Sequence, residues 1–171
     1  MKERFIPLLA CWLMLSGCGP LQQQDYAFNP QYRAFFLEMS SAQRIERFRL
    51  LGMEEQYQTF LFGNQVVHPP ATYLATPFAK RGSALEPFLK NKLALARTEL
   101  TIRDIAVLAE ELAKRGALDD DSLIDALEAR ALTTKSLWKD TTLRIIESAR
   151  QSRGKAGSAQ APRLPFPPTL K

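Results

Sequence analysis

TIRDIAVLAEELAKRG, the stretch from Thr101 to Gly116, reads as a helix by every local criterion. Thr101 is placed to cap it, with Asp104 at the third helical position. Ile102, Ile105, Ala109 and Leu112 recur at helical spacing and make one apolar stripe. Glu110 with Lys114 and Glu111 with Arg115 are opposite charges four residues apart, which supports a solvated face. Gly116 then supplies a terminator, because a glycine closes a helix in the left-handed conformation without steric cost.

The same grammar extends in both directions. Ser40 with Gln43 reads as a capping box that opens a segment carrying Ile45 and Phe48 and stopping near Gly52. Met53, Tyr57, Phe60 and Leu61 form the stripe of a helix expected to end about Gly63. After the loop from Asn64 to Pro70, Tyr73, Leu74 and Phe78 restart a helix that Pro77 should kink or break before Gly82. Ser83 with Glu86 suggests a further capping box, leading into Leu85, Phe88, Leu89, Leu93 and Ala96, with Pro87 tolerated early. Asp119, Asp120 and Asp121 precede a helix with Leu123, Ile124 and Leu127 inward, and Thr134 opens a last one carrying Trp138, Thr141, Ile145 and Ala149. No alternation of apolar and polar residues is long enough to require a strand. The expected fold is all-α: antiparallel helical hairpins over residues 31–151, packed as a small bundle or short superhelix.

Ala79-Lys80-Arg81-Gly82 recurs 34 residues later as Ala113-Lys114-Arg115-Gly116, and that register pairs Leu74 with Leu108, Ala75 with Ala109, Leu89 with Leu123 and Leu93 with Leu127. The spacing suits one helix-turn-helix unit and resembles the hairpin repeats of the tetratricopeptide and HEAT kind, although the tetratricopeptide pattern of Trp, Gly and Tyr is not reproduced. The resemblance implies a surface for peptides or partner proteins. The alternative is a good helix C-terminus used twice, since basic residues followed by Gly suit the helix dipole and the left-handed cap.

The ends differ in composition from the body. Lys2 and Arg4 precede an apolar run from Phe5 to Leu15, followed by Ser16 and Gly17. This is the pattern of a cleaved leader, too short for the ~20 residues of a membrane-spanning helix. Leu15-Ser16-Gly17-Cys18 resembles a bacterial lipoprotein lipobox. The resemblance implies a signal peptide over residues 1–17, cleavage between Gly17 and Cys18, and diacylglyceryl and N-acyl lipid on Cys18. Gly19, where Asp would signal inner-membrane retention, implies delivery to the outer membrane, with the body facing the periplasm. Residues 18–30, with Pro20 and Gln22, Gln23 and Gln24, read as a lipidated tether with a reach of about 20 Å. Residues 152–171, rich in Gly, Ala, Ser and Pro, read as a disordered basic tail, either a plain end or a short docking segment.

Charge and chemistry narrow the function. The net charge of +5 resides in the leader and in Arg153, Lys155, Arg163 and Lys171, leaving a neutral body, so no nucleic-acid partner is expected. Cys11 leaves with the leader and Cys18 carries lipid, so no thiol remains for a disulfide, metal or nucleophile. His68, the only histidine, cannot build a triad or a two-histidine metal site, and its place beside Pro69 suits a turn. The run from Asp119 to Asp121 invites calcium, but Ile124 stands where a calcium loop needs Gly and Arg130 where it needs Glu. Neither a Gly-rich phosphate loop nor a Gly-x-Ser-x-Gly elbow occurs. The expectation is a noncatalytic lipoprotein without cofactor or metal, held on the membrane by its lipid and binding an envelope protein as scaffold or assembly factor. Pilotins, the small helical lipoproteins that escort secretins, resemble it in size, anchor and class. The alternatives are a peptidoglycan or glycan hydrolase working through Glu and Asp, and a purely structural envelope component.

Overall fold

The computed structural model describes residues 30–160, with side chains as far as Ala156. These residues are all-α, with no strand among them. Helix α1 (Pro30–Arg33) runs on as a π-helical turn, Ala34–Glu38. It is followed by α2 (Ser41–Leu50), α3 (Met53–Gln65), α4 (Ala75–Ala79), α5 (Leu85–Leu95), α6 (Glu99–Lys114), α7 (Ser122–Leu132) and α8 (Lys139–Gln160). Short 3-10 turns, Thr72–Leu74 and Gly82–Ala84, lead into α4 and α5.

The helices alternate between two rows. In one, α2 packs on α4, α4 on α6 and α6 on α8. In the other, α5 packs on α7 and meets α3 where the Tyr57 and Phe88 rings stand edge to face 5.5 Å apart. Successive hairpins α4–α5 and α6–α7 therefore stack, which gives the 34-residue echo a structural meaning. Leu74 and Leu108, Ala75 and Ala109, Leu89 and Leu123, and Leu93 and Leu127 are all buried. Gly82 and Gly116 both adopt a left-handed backbone, with φ of 66° and 63°. The repeated Lys-Arg-Gly thus closes a helix twice and does so at equivalent places in two hairpins.

Helix α6 is the hub, in contact with α3, α4, α5, α7 and α8. Its expected stripe of Ile102, Ile105, Ala109 and Leu112 is buried, and Ala106, Leu108 and Ala113 widen it into a broad apolar face, with Arg103, Glu110, Glu111 and Lys114 on the other side. Such a helix is held by burial of one broad apolar face against several neighbours, with its charged face outward. Glu110 pairs with Lys114 at 3.1 Å as expected, while Glu111 pairs with Lys114 at 3.0 Å and accepts a hydrogen bond from Thr76 Oγ1 at 2.9 Å.

Several boundaries differ from expectation for identifiable reasons. Thr98, not Thr101, caps α6, its Oγ1 accepting from the Thr101 amide at 3.2 Å. Gly63 does not end α3; a Cβ there would lie 2.8 Å from Phe36 Cζ and 2.9 Å from Ala71 Cβ, so glycine is needed for close packing inside the helix. Glu86 forms no cap with Ser83: it is buried, paired with Lys90 at 2.6 Å and accepting the Asp119 amide at 2.7 Å. Pro77 and Pro87 each occupy the third position of their helices, where the amide has no partner within the helix. The Ser40–Gln43 capping box is present with both reciprocal bonds, at 2.9 and 3.4 Å.

The largest correction concerns the end of the helical body. Residues 152–160 belong to α8 rather than to a disordered tail. The Gly and Ser residues there weaken helix propensity, but the buried row is Thr142, Ile146 and Ala149, and Arg153 continues it. Arg153 reaches back to pair with Asp121 at 2.5 Å, and Ala156 Cβ approaches the site of a Gly116 Cβ to 3.4 Å. Burial of that row also starts the helix at Lys139 instead of Thr134, and turns Thr141 and Ile145 to the margin of the core.

Urea unfolding checks this packing. Leu108→Ala is expected to cost about 2–5 kcal/mol through the cavity it leaves. Gly63→Ala should cost about 1–3 kcal/mol because the added methyl has no space. Exposed Leu132→Ala should change stability by no more than about 0.5 kcal/mol.

Candidate interaction surface

The buried charges act as structural locks. Asp104 is fully buried in α6, its carboxylate held by Arg103 at 2.6 Å and by the Gln65 amide at 2.8 Å. Burial pushes its carboxyl above the usual carboxylate range, against the opposing pull of Arg103 and Gln65. Arg103 in turn lies under the Trp138 ring, 4.7 Å from its centroid, a cation–π contact that fixes the start of α8 against α6. Glu86 joins α5 to the loop before α7 through Lys90 and the Asp119 amide. Each carboxylate is satisfied within the fold, and neither lines the groove or cavity described below.

Sequence candidates for chemistry fall in unremarkable surroundings. His68 is exposed in the loop after α3. Asp120 lies at the surface, where its hydrogen bonds from the Ser122 hydroxyl and amide hold its carboxyl below the usual range. Asp121 pairs with Arg153, which also donates to the Asp119 carbonyl at 3.3 Å, and the Asp119 amide donates to Glu86, so these contacts tie the run into the fold. Among the described residues no group of three His, Cys, Asp or Glu side chains is arranged to hold a metal ion. No described helix is long and apolar enough to cross a membrane. Gly17 and Cys18, the signal peptide over 1–17, the tether up to residue 29 and residues 161–171 lie outside the described residues.

Two surface features remain. The first is an open groove of about 240 Å³ between α5 and α7, lined by Leu93 and Ala94 on one side and Ala126 on the other. Lys90 and Arg130 also line it. Lys90 is fixed by Glu86 and, at 3.6 Å, by Asp120, while Arg130 donates to the Ala96 carbonyl at 2.5 Å. Small floor residues allow an incoming backbone to approach closely. The groove leaves little trace in the sequence because Ala94 and Ala126 belong to no apolar stripe; its only signal is small residues on the outer faces of two helices.

The second feature is the apolar end around the α7–α8 loop, where Leu95, Leu132, Leu137 and Trp138 are exposed. Beneath Trp138 lies a cavity of about 10 Å³, bounded by Ile102, Ala131 and Thr142. That volume is no more than a single water requires and leaves no room for a substrate. Compared with known proteins, the chain matches no family model, no curated protein and no solved structure.

The burial of Asp104 has a consequence in acid. Its folded carboxyl titrates above the unfolded one, so between those two values the native state holds a proton that the unfolded chain has released. Its contribution to stability therefore declines as pH rises from about 4 through that interval. Asp104→Asn removes the titration. The wild-type advantage over this variant, measured by urea unfolding at a series of pH values, should shrink as pH is raised from about 4 and then level off; a difference independent of pH would contradict the assignment.

Proposed function

We propose that the chain is a noncatalytic lipoprotein, anchored in the outer membrane through lipid on Cys18, whose helical body faces the periplasm and binds another envelope protein as a scaffold or assembly factor. The anchor rests on the leader: the charged Lys2 and Arg4, the apolar run to Leu15, and Leu15-Ser16-Gly17-Cys18. The observation that carries the binding reading is the alanine-floored groove between α5 and α7. A shallow channel floored by small residues suits a helix or extended segment that can lay its backbone close to it. Glycan hydrolysis, by contrast, calls for two carboxylates facing a common cleft. The buried carboxylates, Asp104 and Glu86, are committed to Arg103, Gln65, Lys90 and the Asp119 amide.

Two variants test the two halves separately. Cys18→Ala should abolish acylation and cleavage, so that a precursor with its leader attached accumulates; membrane retention with normal processing would overturn the anchor. Ala126→Arg fills the groove from an exposed position, so the protein should remain folded and membrane-bound while a crosslinked envelope partner, identified by mass spectrometry with the wild type, is lost. Undiminished capture of that partner would overturn the groove.

A further inference from the structure

We infer that the α7–α8 loop is a membrane-contact element that seats this end of the domain on an anionic lipid surface. The inference depends neither on lipid at Cys18 nor on a partner in the α5–α7 groove. From Arg130 to Lys139 the chain reads Arg-Ala-Leu-Thr-Thr-Lys-Ser-Leu-Trp-Lys, with three cations and no carboxylate. Leu137 at its tip is 98% exposed, and Leu132 and Trp138 are exposed beside it. Arg130 bonds the Ala96 carbonyl, which brings exposed Leu95 and Arg97 to the same end.

This loop is built, not slack. The Thr133 and Thr134 hydroxyls donate to the Arg130 carbonyl at 2.8 and 3.0 Å. Lys139 Nζ donates to the Leu132 carbonyl at 3.1 Å, and the Trp138 amide donates to Ser136 Oγ at 3.0 Å. With Trp138 stacked over Arg103, the loop holds its apolar tip outward at little further cost in conformational entropy on binding.

Shape and charge select the occupant. Leu137 is a protruding knob rather than the lining of a pocket, and a bilayer deforms around a knob whereas a folded partner must supply a matching hole. A tryptophan at the rim suits the headgroup level, where its ring is amphipathic. Lysines on either side of the apolar tip, Lys135 and Lys139, complement lipid phosphates while their aliphatic stems cover apolar surface. Nearby carboxylates are few: Asp140 follows the loop, and Glu99 lies half-buried against the cavity under Trp138.

The test uses a chain beginning at Gly19. It retains the whole described core, which runs from Phe35 to Ala149, and lacks Trp12, so Trp138 is its sole tryptophan. Mixed phosphatidylglycerol–phosphatidylethanolamine vesicles should sediment the protein, shift Trp138 emission to the blue and allow quenching by brominated acyl chains. Leu137→Glu should weaken vesicle binding about tenfold or more, and Lys135→Glu about fivefold. Both positions are exposed, so thermal unfolding of the variants should match the wild type. Absence of sedimentation and emission shift would overturn the inference. So would equal affinity for phosphatidylcholine vesicles, or binding undiminished in Leu137→Glu, which would put the contact on other basic residues such as Arg163 and Lys171.

Discussion

Covering α6 is the constraint on which the rest of the structure depends. Five helices touch it, and its broad apolar face, from Ile102 to Ala113, is removed from water. Glu110, Glu111 and Lys114 keep to the opposite, solvated face, while a polar group on the buried face must be answered locally. Asp104 is the costly case, since a buried carboxylate is tolerated only when paired and hydrogen-bonded. Arg103 and Gln65 do this, and through them Asp104 links α3 to α6, while Arg103 carries the connection on to Trp138 at the start of α8. One buried acid thereby ties together three elements distant in sequence.

The surface features follow from the same arrangement. Because the apolar demands of α6 are met by its neighbours, the outer faces of α5 and α7 are free to be lined by Ala94 and Ala126, and a groove opens between them. At one end of the same two helices, the turn from α7 into α8 is tied by the Arg130 carbonyl and Lys139, leaving Leu132, Leu137 and Trp138 outside the core. Groove and apolar end share Arg130, whose guanidinium also bonds the Ala96 carbonyl in the α5–α6 connection. The interior is thus assigned wholly to stability, and the distinctive chemistry lies on one row of helices and its end.

Much of this was legible in the residues, and the exceptions share a physical origin. Periodicity located α2, α3, α5, α6 and α7 because each carries apolar residues at helical spacing, and the Ser40–Gln43 box is local chemistry that needs no tertiary context. Caps elsewhere depended on context: Glu86 left its local partner for the Asp119 amide 33 residues away. The extension of α8 past Ser152 was hidden for the same reason. Its Gly and Ser content argues for a solvated chain, and only the nearness of Asp121 to Arg153 in space reverses the argument. Gly63 reads locally as a stop signal, whereas close approach of the Phe36 ring is what excludes a side chain there. The groove was least legible, since a shallow channel arises from which helices are adjacent, and a lone alanine carries no periodic signal.

The order of helices along the chain also matters for when the domain can form. Helix α8 makes the most extensive contact with α6, yet it is the last helix described, and its buried residues Thr142, Ile146 and Ala149 lie 30 or more residues beyond the hub's centre. As the chain emerges from a ribosome, α6 therefore keeps one apolar side open until α8 has followed it out. Growing from its N-terminus, the polypeptide has no complete core to close upon. Closure of the core is thus deferred until nearly the whole helical body has been made.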